Sequence, residues 1–287
     1  MPELPEVETI RRQLEKEIKG ATIKEVEVRN AKPLNVPPEK FISAVSGAKI
    51  KEVGRRAKLL LLYLTNGNIL MFHLKMTGRM LLVKKGAEPT KHTHIVFKLS
   101  PHRLPTLPRG ESERGVDLFF EDYRRFGFVK LLEEKNLEKY FAGEGYGPEP
   151  LSPQFSYKIM KARLLAHKNK KIKQMLMEQS CVAGIGNIYA AEICFYAGVH
   201  PERKVGEIKE TEFKKIYDGT KKILKAAIAN RGSSADAYLD AYGKQGTFVP
   251  KLKVYDREGK KCVRCGGIIK KIKSAGRGTY FCPKCQK

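Results

Sequence analysis

The chain has 287 residues, a length that predicts two domains with room for a small third, and 41% of them are hydrophobic, enough for a core in each. The 56 Lys and Arg residues and 31 Asp and Glu residues give a formal charge of +25. This charge favours a nucleic-acid partner; the alternative is that the basic residues only make the surface soluble. A membrane surface is disfavoured because Trp is absent and no basic amphipathic helix stands out. No signal peptide and no apolar run near the roughly 20 residues of a membrane span are present, so we expect an intracellular protein.

The first residues combine an amine, an acid and the start of a helix. If Met1 is removed, Pro2 carries a free secondary amine, and Glu3 supplies a carboxylate beside it. The positive end of a helix dipole disfavours the protonated amine and makes it more nucleophilic, as Schiff-base chemistry requires. Ordinary helix-start composition is the alternative, and these residues taken alone favour it. The helix is predicted from apolar residues at Val7, Ile10, Leu14 and Ile18.

Residues 21–130 alternate between short apolar runs and turns, which predicts strands. Asn66-Gly67 between two of these runs is a strong hairpin signal. Several short strands joined by turns favour a β-sandwich or barrel-like domain capped by the first helix. A Pro-rich, charged segment at 101–114 predicts a long exposed loop. The strand candidates are 22–28, 59–64, 69–73, 80–83, 94–99, 116–120 and 127–132.

A charged stretch rich in Gly and Pro follows and predicts a linker between domains at 135–153. From there the spacing of apolar residues is helical, and the Met and aromatic positions are those of a core. The predicted helical segments are 161–165, 172–182, 187–197 and 213–229.

Four cysteines close the chain in two C-x2-C pairs separated by sixteen residues: Cys262, Cys265, Cys282 and Cys285. This spacing is typical of a four-thiolate Zn²⁺ site, and disulfides are disfavoured in a chain without an export signal. A closed four-cysteine site has no open coordination position, so the metal would fold a short β-hairpin. Basic residues between the pairs indicate contact with phosphate or a base.

Two further motifs suggest contact with DNA. A Gly-rich turn at 184–186 leads into a helix that begins at Asn187, an arrangement that binds phosphate through free backbone N–H groups, although it could equally cap one helix and start the next. Arginine pairs lie at Arg55-Arg56 and at Arg124-Arg125, the second next to an aromatic residue. Clustered Arg beside an apolar wedge suits extrusion of a base from a duplex, whereas basic edge residues are the simpler alternative.

These motifs occur together in the order seen in formamidopyrimidine-DNA glycosylases, which the chain resembles over essentially its whole length. The resemblance implies an α+β fold: an N-terminal β-sandwich with a capping helix, a helix–two-turn–helix domain and a C-terminal zinc-finger hairpin. The matching stretches are Pro-Glu-Leu-Pro-Glu-Val-Glu at 2–8, Arg-Arg-Ala-Lys at 55–58, Gly-Ile-Gly-Asn-Ile-Tyr-Ala at 184–190 and the cysteine finger.

The resemblance also implies a reaction. Pro2 would attack C1′ of the damaged nucleotide, expel an oxidised purine such as 8-oxoguanine or a formamidopyrimidine, and form a Schiff base that undergoes β- and then δ-elimination. Glu3 would act as general acid and base. Lys58 would contact the phosphate beside the lesion and assist, and Arg277 completes the catalytic set.

Further positions match the family's contacts with DNA. Met76, Arg124 and Phe126 would fill the vacated stack, with Arg124 reading the orphaned cytosine. Backbone contacts are implied for His92, Arg125 and Asn187, and for Lys244 in a mobile loop at 242–247 that closes over the extruded base. The residues implied near that base are Glu6, Ile188 and Tyr189.

The resemblance further implies one structural zinc ion, no redox or nucleotide cofactor, damaged duplex DNA as partner, and a monomer in the bacterial cytoplasm, held at the nucleoid by DNA. Domain boundaries are expected at 1–134, 135–153, 154–245 and 246–287. Two alternatives stay open: a related glycosylase for oxidised pyrimidines, and a non-catalytic zinc-finger DNA-binding protein on the same scaffold.

The chain departs from the family pattern at three places. Lys75 stands where the family usually has Gly, and Tyr123 replaces the usual Pro before the arginine pair. The segment 101–114 is longer than usual and is expected to be a neutral insertion. Met1 must be removed, because an acylated Pro2 nitrogen is not a nucleophile.

Overall fold

The computed structural model describes residues 1–100, 115–234 and 237–287. The chain forms two compact units, Met1–Phe141 with Arg231–Thr247 and Ala142–Asn230 with Phe248–Lys287. The segment 101–114, predicted to be an exposed loop, lies outside the described residues. The predicted domain boundaries stay predictions, because compactness alone does not reveal which parts fold independently.

The first unit contains two four-stranded antiparallel sheets, which confirms the predicted sandwich. The strand order is β1-β6-β7-β5 in one sheet and β2-β3-β4-β8 in the other. The elements in chain order are α1 (Leu4–Ile18), β1 (Ile23–Val28), α2 (Pro38–Val45), β2 (Ile50–Arg56), β3 (Leu59–Leu64), β4 (Asn68–His73), β5 (Gly78–Lys84), β6 (Thr93–Leu99), β7 (Val116–Asp122), β8 (Phe128–Glu133) and α3 (Leu137–Glu144).

One hydrophobic core joins both sheets and the capping helix. The Phe72 ring of β4 lies 6.1 Å from the Phe97 ring of β6 and 5.7 Å from the Phe120 ring of β7, edge to face, so the two sheets meet through aromatic contacts. All four apolar positions predicted for the first helix belong to this core and are 0% exposed, so the 3.6-residue pattern located α1 correctly.

One end of the sandwich brings together the connections that carry six of the predicted site residues. Leu59 pairs with His73, and His73 pairs with Phe128, so the β2–β3 turn, the β4–β5 connection and the β7–β8 connection lie together. The β4–β5 connection crosses from one sheet to the other, and the start of β6 pairs with the end of β7. We call these connections, residues 57–58, 74–77, 91–92 and 123–127, the loop end.

The second unit is helical and includes the C-terminal hairpin. Its central helix, α6, contacts α5, α7 and β10. The second predicted segment ends earlier than expected, at Met177 and not at 182, because the chain turns there towards the Gly-rich motif. No described helix combines the length and apolar character needed to cross a bilayer. The elements are α4 (Tyr157–Leu165), α5 (Ile172–Met177), α6 (Asn187–Ala197), α7 (Glu210–Ala229), β9 (Lys270–Ser274) and β10 (Arg277–Phe281).

The hairpin is anchored to α6. Phe195 of α6 packs in one apolar cluster with Val254, Ile269 and Tyr280. The buried Glu192 carboxylate accepts backbone N–H groups from residues 253, 254 and 255 at 2.9 to 3.0 Å. These bonds satisfy backbone donors where the chain enters the finger, and thereby fix the finger to the helix.

Candidate active site

The N-terminal residues are held tightly at the start of α1. Pro2 is buried, and Glu3, the residue that precedes the helix, is only 1% exposed. The Glu3 N–H donates to Oε2 of Glu6 at 2.8 Å, which caps the first turn. A terminus with these constraints does not fray, so the start of the chain is a defined part of the structure.

Glu6 also binds a segment far along the chain. Its second carboxyl oxygen accepts the backbone N–H of Ser233 at 2.7 Å, and its side chain is buried. Gly232 has φ of +78°, and a Cβ there would lie 2.6 Å from Oε1 of Glu6. Only glycine fits at this point, because both the backbone conformation and the space exclude a side chain.

Lys58 lies in the two-residue turn between β2 and β3 and is 7% exposed, with Ala57 before it at φ of +54°. This turn is tied to α1 through Arg55. Its guanidinium donates to the Ala57 carbonyl at 2.8 Å and to Oε2 of Glu8 at 3.0 Å. The Glu8 link therefore brings the first turns of α1 and the Lys58 turn to the same edge of the unit.

The Glu8 carboxylate is surrounded by three arginines. Burial acts to raise its pKa, but hydrogen bonds from Arg11 and Arg12 and the charge of Arg55 outweigh burial and lower the pKa below its ordinary value. Glu8 is thus ionised at neutral pH and fixes these guanidinium groups near the terminus.

His73 lies at the end of β4, close to Lys58 and Lys75. Burial, reinforced by the charges of these two lysines, lowers its pKa to about 3, so the imidazole is neutral at physiological pH. Its Nδ1 accepts the backbone N–H of Lys75 at 2.9 Å, which leaves the proton on Nε2. Lys75 itself has φ of +50°, a conformation that favours glycine.

The three predicted wedge residues lie on the two adjacent connections of the loop end. Met76 is 38% exposed and Phe126 is 54% exposed, while the Arg124 guanidinium stacks over the Phe126 ring at 4.9 Å. Buried Asp122 holds both connections: it accepts the hydroxyl of Thr77 and the backbone N–H groups of residues 124 and 127. Large exposed apolar side chains on such a braced loop are typical of a binding surface.

The remaining loop-end residues flank this wedge. Arg125 is exposed and has φ of +56°. His92 is partly exposed and its ring lies 4.1 Å from the Tyr123 ring.

The segment 237–247 is fixed to α1. Lys244 is exposed, and its backbone N–H donates to Oδ1 of Asp240 at 2.9 Å. Asp240 in turn accepts the Gln13 side-chain amide at 3.0 Å, and the Tyr242 hydroxyl donates to Glu17 at 2.8 Å.

In the second unit, one buried turn organises the start of α6. The Gln179 side chain accepts the Gly184 N–H at 2.8 Å and donates to the Ile185 carbonyl at 3.0 Å. The Asn187 amide donates to the Gly278 carbonyl of β10 at 3.1 Å and accepts the Lys173 ammonium. The predicted base-pocket residues Ile188 and Tyr189, the next two in α6, are buried within this unit.

Arg277 and the four cysteines belong to the terminal hairpin. Arg277 is exposed and follows a tight turn in which Ala275 and Gly276 have φ of +47° and +74°. The four Sγ atoms all lie within 4.8 Å of one another, with the Cys262–Cys285 pair at 3.9 Å and the Cys265–Cys282 pair at 3.5 Å. Tetrahedral Zn–S bonds of about 2.3 Å place sulfur atoms about 3.8 Å apart. The cysteines form a site for one structural zinc ion.

Several of these organising residues lacked a sequence signal. Examples are Asp122, Thr77 and Gln179, whose side chains make hydrogen bonds between separate parts of the chain. A single polar residue in a loop does not reveal from sequence which residue it will contact. Glu8 and Arg55 stood within motifs that were singled out, but their pairing across 47 residues was not predicted.

Comparison with known proteins supports the family at the level of domains and of the whole chain. Family models match residues 1–129 (formamidopyrimidine-DNA glycosylase N-terminal domain), 146–238 (formamidopyrimidine-DNA glycosylase H2TH domain) and 259–287 (zinc finger found in FPG and IleRS). The chain is 41% identical to a formamidopyrimidine-DNA glycosylase of Listeria innocua and 40% identical to one of Streptococcus thermophilus, with 100% of each chain covered.

Solved structures show the same similarity. A complex of Lactococcus lactis Fpg with abasic-site DNA matches with a TM-score of 0.90 at 36% identity, covering 99% of both chains. A complex of the wild-type L. lactis protein with DNA containing N7-benzyl-Fapy-dG matches with a TM-score of 0.90 at 36% identity, covering 100% of both.

Proposed function

The chain belongs to the formamidopyrimidine-DNA glycosylase family, and on that premise we propose that it is a bifunctional DNA glycosylase and AP lyase of base excision repair. Its substrates are oxidised purines, 8-oxoguanine and formamidopyrimidines, in duplex DNA. One observation supports this proposal for this chain: the Glu8–Arg55 pair joins the first turns of α1, which follow directly after Pro2 and Glu3, to the Lys58 turn.

The nucleophile is the Pro2 nitrogen after removal of Met1. Its lone pair forms a bond to C1′ of the damaged nucleotide while the bond from C1′ to the base breaks, and the base leaves with the bonding electrons and takes up a proton. Loss of the amine proton and cleavage of the C1′–O4′ bond, with protonation of O4′, then open the sugar to an iminium. The iminium acidifies the hydrogens on C2′, which allows β-elimination of the 3′ phosphate and then δ-elimination of the 5′ phosphate. Hydrolysis of the iminium releases the enzyme.

Glu3, Lys58 and Arg277 assist this sequence. Glu3 moves protons between the opening sugar, the leaving base and C2′. Its burial next to Pro2 supports this role, because a fixed carboxyl within reach of the reacting atoms is what general acid–base catalysis needs. The Lys58 and Arg277 cations hold the phosphates on either side of the lesion, where negative charge accumulates as the strand breaks.

The wedge and the phosphate contacts provide the energy of base extrusion, which costs a few kcal/mol of unstacking. Exposed Met76 and Phe126 fill the gap, and Arg124, stacked on Phe126, pairs with the orphaned cytosine. Phosphate contacts come from His92, Arg125, Asn187 and Lys244. The extruded base is received near Glu6, Ile188 and Tyr189.

Zinc supplies folding and no chemistry. Cys262, Cys265, Cys282 and Cys285 would hold it, and the bound ion would close the base of the β9–β10 hairpin, whose turn leads into Arg277. Asn187 binds the Gly278 carbonyl, so the finger and the start of α6 present their phosphate ligands together.

We also propose that the protein acts as a monomer in the bacterial cytoplasm and associates with the nucleoid through its DNA substrate. The positive charge of +25 supports this location, because it favours contact with long polyanions. Sedimentation of the protein with and without a lesion duplex tests the monomer: one chain per duplex is expected, and two chains would contradict it.

A borohydride trapping experiment on three duplexes tests the function. The duplexes carry 8-oxoguanine opposite cytosine, an oxidised pyrimidine opposite its normal partner, or no lesion. We expect a covalent adduct and base release with 8-oxoguanine. Adduct only with the pyrimidine duplex would identify a pyrimidine-specific relative, and binding without any adduct would identify a non-catalytic DNA-binding protein.

A further inference from the structure

Arg79, the second residue of β5, connects two parts of the first unit that are far apart in sequence. Its guanidinium donates twice to the Ala237 carbonyl, at 3.0 and 3.2 Å. It also donates to the Tyr123 hydroxyl at 3.2 Å and stacks over the Tyr123 ring at 4.7 Å. One planar cation thus joins the segment 237–241 to the first residue of the β7–β8 connection.

Tyr123 extends this contact to the predicted DNA ligand His92. The two rings have centroids 4.1 Å apart and planes inclined by 31°, so they are in close, tilted contact. The backbone supports the same arrangement, because the N–H of Asp122 donates to the His92 carbonyl at 3.0 Å. Tyr123 is 46% exposed, and the stack therefore lies at the surface of the loop end.

The segment 237–241, which Arg79 contacts at Ala237, is also held in place by hydrogen bonds of its backbone. The Ala241 carbonyl accepts the Leu82 N–H of β5 at 2.8 Å, and the Ala241 N–H donates to Gln13 of α1 at 2.9 Å. The segment 237–241 is therefore a firm strip along β5. It continues on one side from Ser233, which binds Glu6, and on the other into 242–247.

From these contacts we propose that Arg79 and Tyr123 are positioning residues that couple the segment 237–241 to His92 and to the wedge loop at 123–127. We call this contact the Arg79–Tyr123 link. It rests on the proposed function: when DNA binds the loop end, the link transmits this contact to the segment 237–241, which continues into the loop at 242–247. We call the loop at 242–247, which is expected to close over the extruded base, the lesion-side loop. Base excision then depends on correct insertion of the wedge.

The chemistry of the two side chains suits this task. Arginine presents a planar fork that binds one carbonyl twice while its face stacks on a ring, which lysine does not reproduce. Tyrosine offers a ring for Arg79 and His92 and a hydroxyl for Arg79. Proline, which the family usually has at this position, provides neither, so the link is a feature of this chain.

A comparison of base excision with strand cleavage at a preformed abasic site distinguishes a positioning role of the link from a simple contact with DNA. Base excision requires the segment 237–241 and the loop at 242–247, because the extruded base must be received there. Cleavage of abasic DNA does not require them in this way, because there is no base to receive. For Arg79→Lys and Tyr123→Leu we expect kcat for release of 8-oxoguanine to fall about fivefold, equivalent to about 1 kcal/mol. KM should change by less than about twofold, and cleavage of abasic DNA should fall much less than excision.

The double variant provides the decisive comparison. If the link is one unit, Arg79→Lys with Tyr123→Leu is no worse than either single variant, whereas independent roles multiply to about 25-fold. Tyr123→Phe keeps the stacked ring and should recover most of the excision rate. Lys98→Gln, which removes an exposed ion pair with Glu25 at the opposite end of β6, serves as the matched surface control.

Three results would overturn the link: additive losses in the double variant, a parallel fall of excision and abasic cleavage, or a salt dependence of DNA binding that weakens by about one phosphate contact in the charge-removing variant Arg79→Gln. Melting temperatures of all variants exclude unfolding as the cause. A wild-type protein that releases no oxidised base would instead contradict the proposed function, and the two failures are thereby distinguishable.

Discussion

The carboxylate of Glu6 accepts the backbone N–H of Ser233 at 2.7 Å, a bond between residues 227 positions apart. The same carboxylate caps the first helix through Glu3. One buried side chain therefore holds two parts of the chain in place. These are the start of α1, where the nucleophile is expected, and the residues around Ser233, which precede the segment 237–241 and the lesion-side loop. A change at either partner should affect the fold and the site together.

Gly232→Ala should break this relationship. The new Cβ would meet the Glu6 carboxylate at 2.6 Å and force a side chain to φ of +78°, so we expect a loss of about 2 kcal/mol in the free energy of unfolding. Excision should fall more than abasic cleavage. Urea denaturation measures the stability. Gly86→Ala, also at positive φ but with open space around its Cβ, is the control and should lose less. Equal losses at the two glycines would show that the Glu6 contact is unimportant.

Glu8→Gln should change the response of the protein to acid. The folded pKa of Glu8 is lowered, so its stabilising effect is fully present above the unfolded value of 4.5 and is lost as pH falls through the folded value. We expect Glu8→Gln to lose about 1–2 kcal/mol at pH 7 through weakened hydrogen bonds to the arginines. The difference from wild type should shrink below pH 4.5. A difference that stays constant to pH 3 would contradict the ionised Glu8.

His73 should remain neutral well below its usual titration range. Because its folded pKa is about 3 and its unfolded value 6.5, the unfolded chain binds the extra proton first, and stability falls as pH decreases from 6.5. The slope should approach about 1.4 kcal/mol per pH unit for one proton, and His73→Gln should remove it. NMR titration of the imidazole provides the direct measurement. A midpoint near 6.5 in the folded protein would show that the ring is not desolvated as described.

Removal of zinc should unfold the finger and weaken DNA binding. The four thiolates would repel one another without the metal, and the hairpin has little core of its own beyond its contacts with α6. We expect one zinc per chain by native mass spectrometry and a large loss of DNA affinity after chelation. Cys181→Ala, a buried thiol outside the site, should retain the metal. Undiminished DNA affinity in the zinc-free protein would exclude the finger from the interface.

The sequence predicted most of the local elements and the fold class, because α1, seven of the eight sandwich strands and the four-cysteine finger have strong periodic or spacing signals. It missed β2, whose seven residues are mostly charged or glycine, and α2 and α3, which have eight residues each. The end of α5 was placed too late, since Gln179 leaves the helix to bind the Gly-rich turn.

The candidate site was predictable where a motif carried it and not where distant residues meet. Pro2, Lys58 and Asn187 came from recognisable motifs. The bonds from Glu6 to Ser233 and from Arg79 to Ala237 join positions whose proximity depends on the whole sandwich, and no local pattern encodes them. Tyr123 was noted as a departure from the family, but only the structure shows what it contacts.

The most direct measurement is the location of the trapped adduct. The protein is incubated with an 8-oxoguanine duplex and borohydride, digested, and the modified peptide sequenced by tandem mass spectrometry. We expect the sugar remnant on the nitrogen of Pro2, in a peptide that lacks Met1. An adduct on a lysine side chain, or an active protein that still begins with Met1, would contradict the central role of the terminal proline.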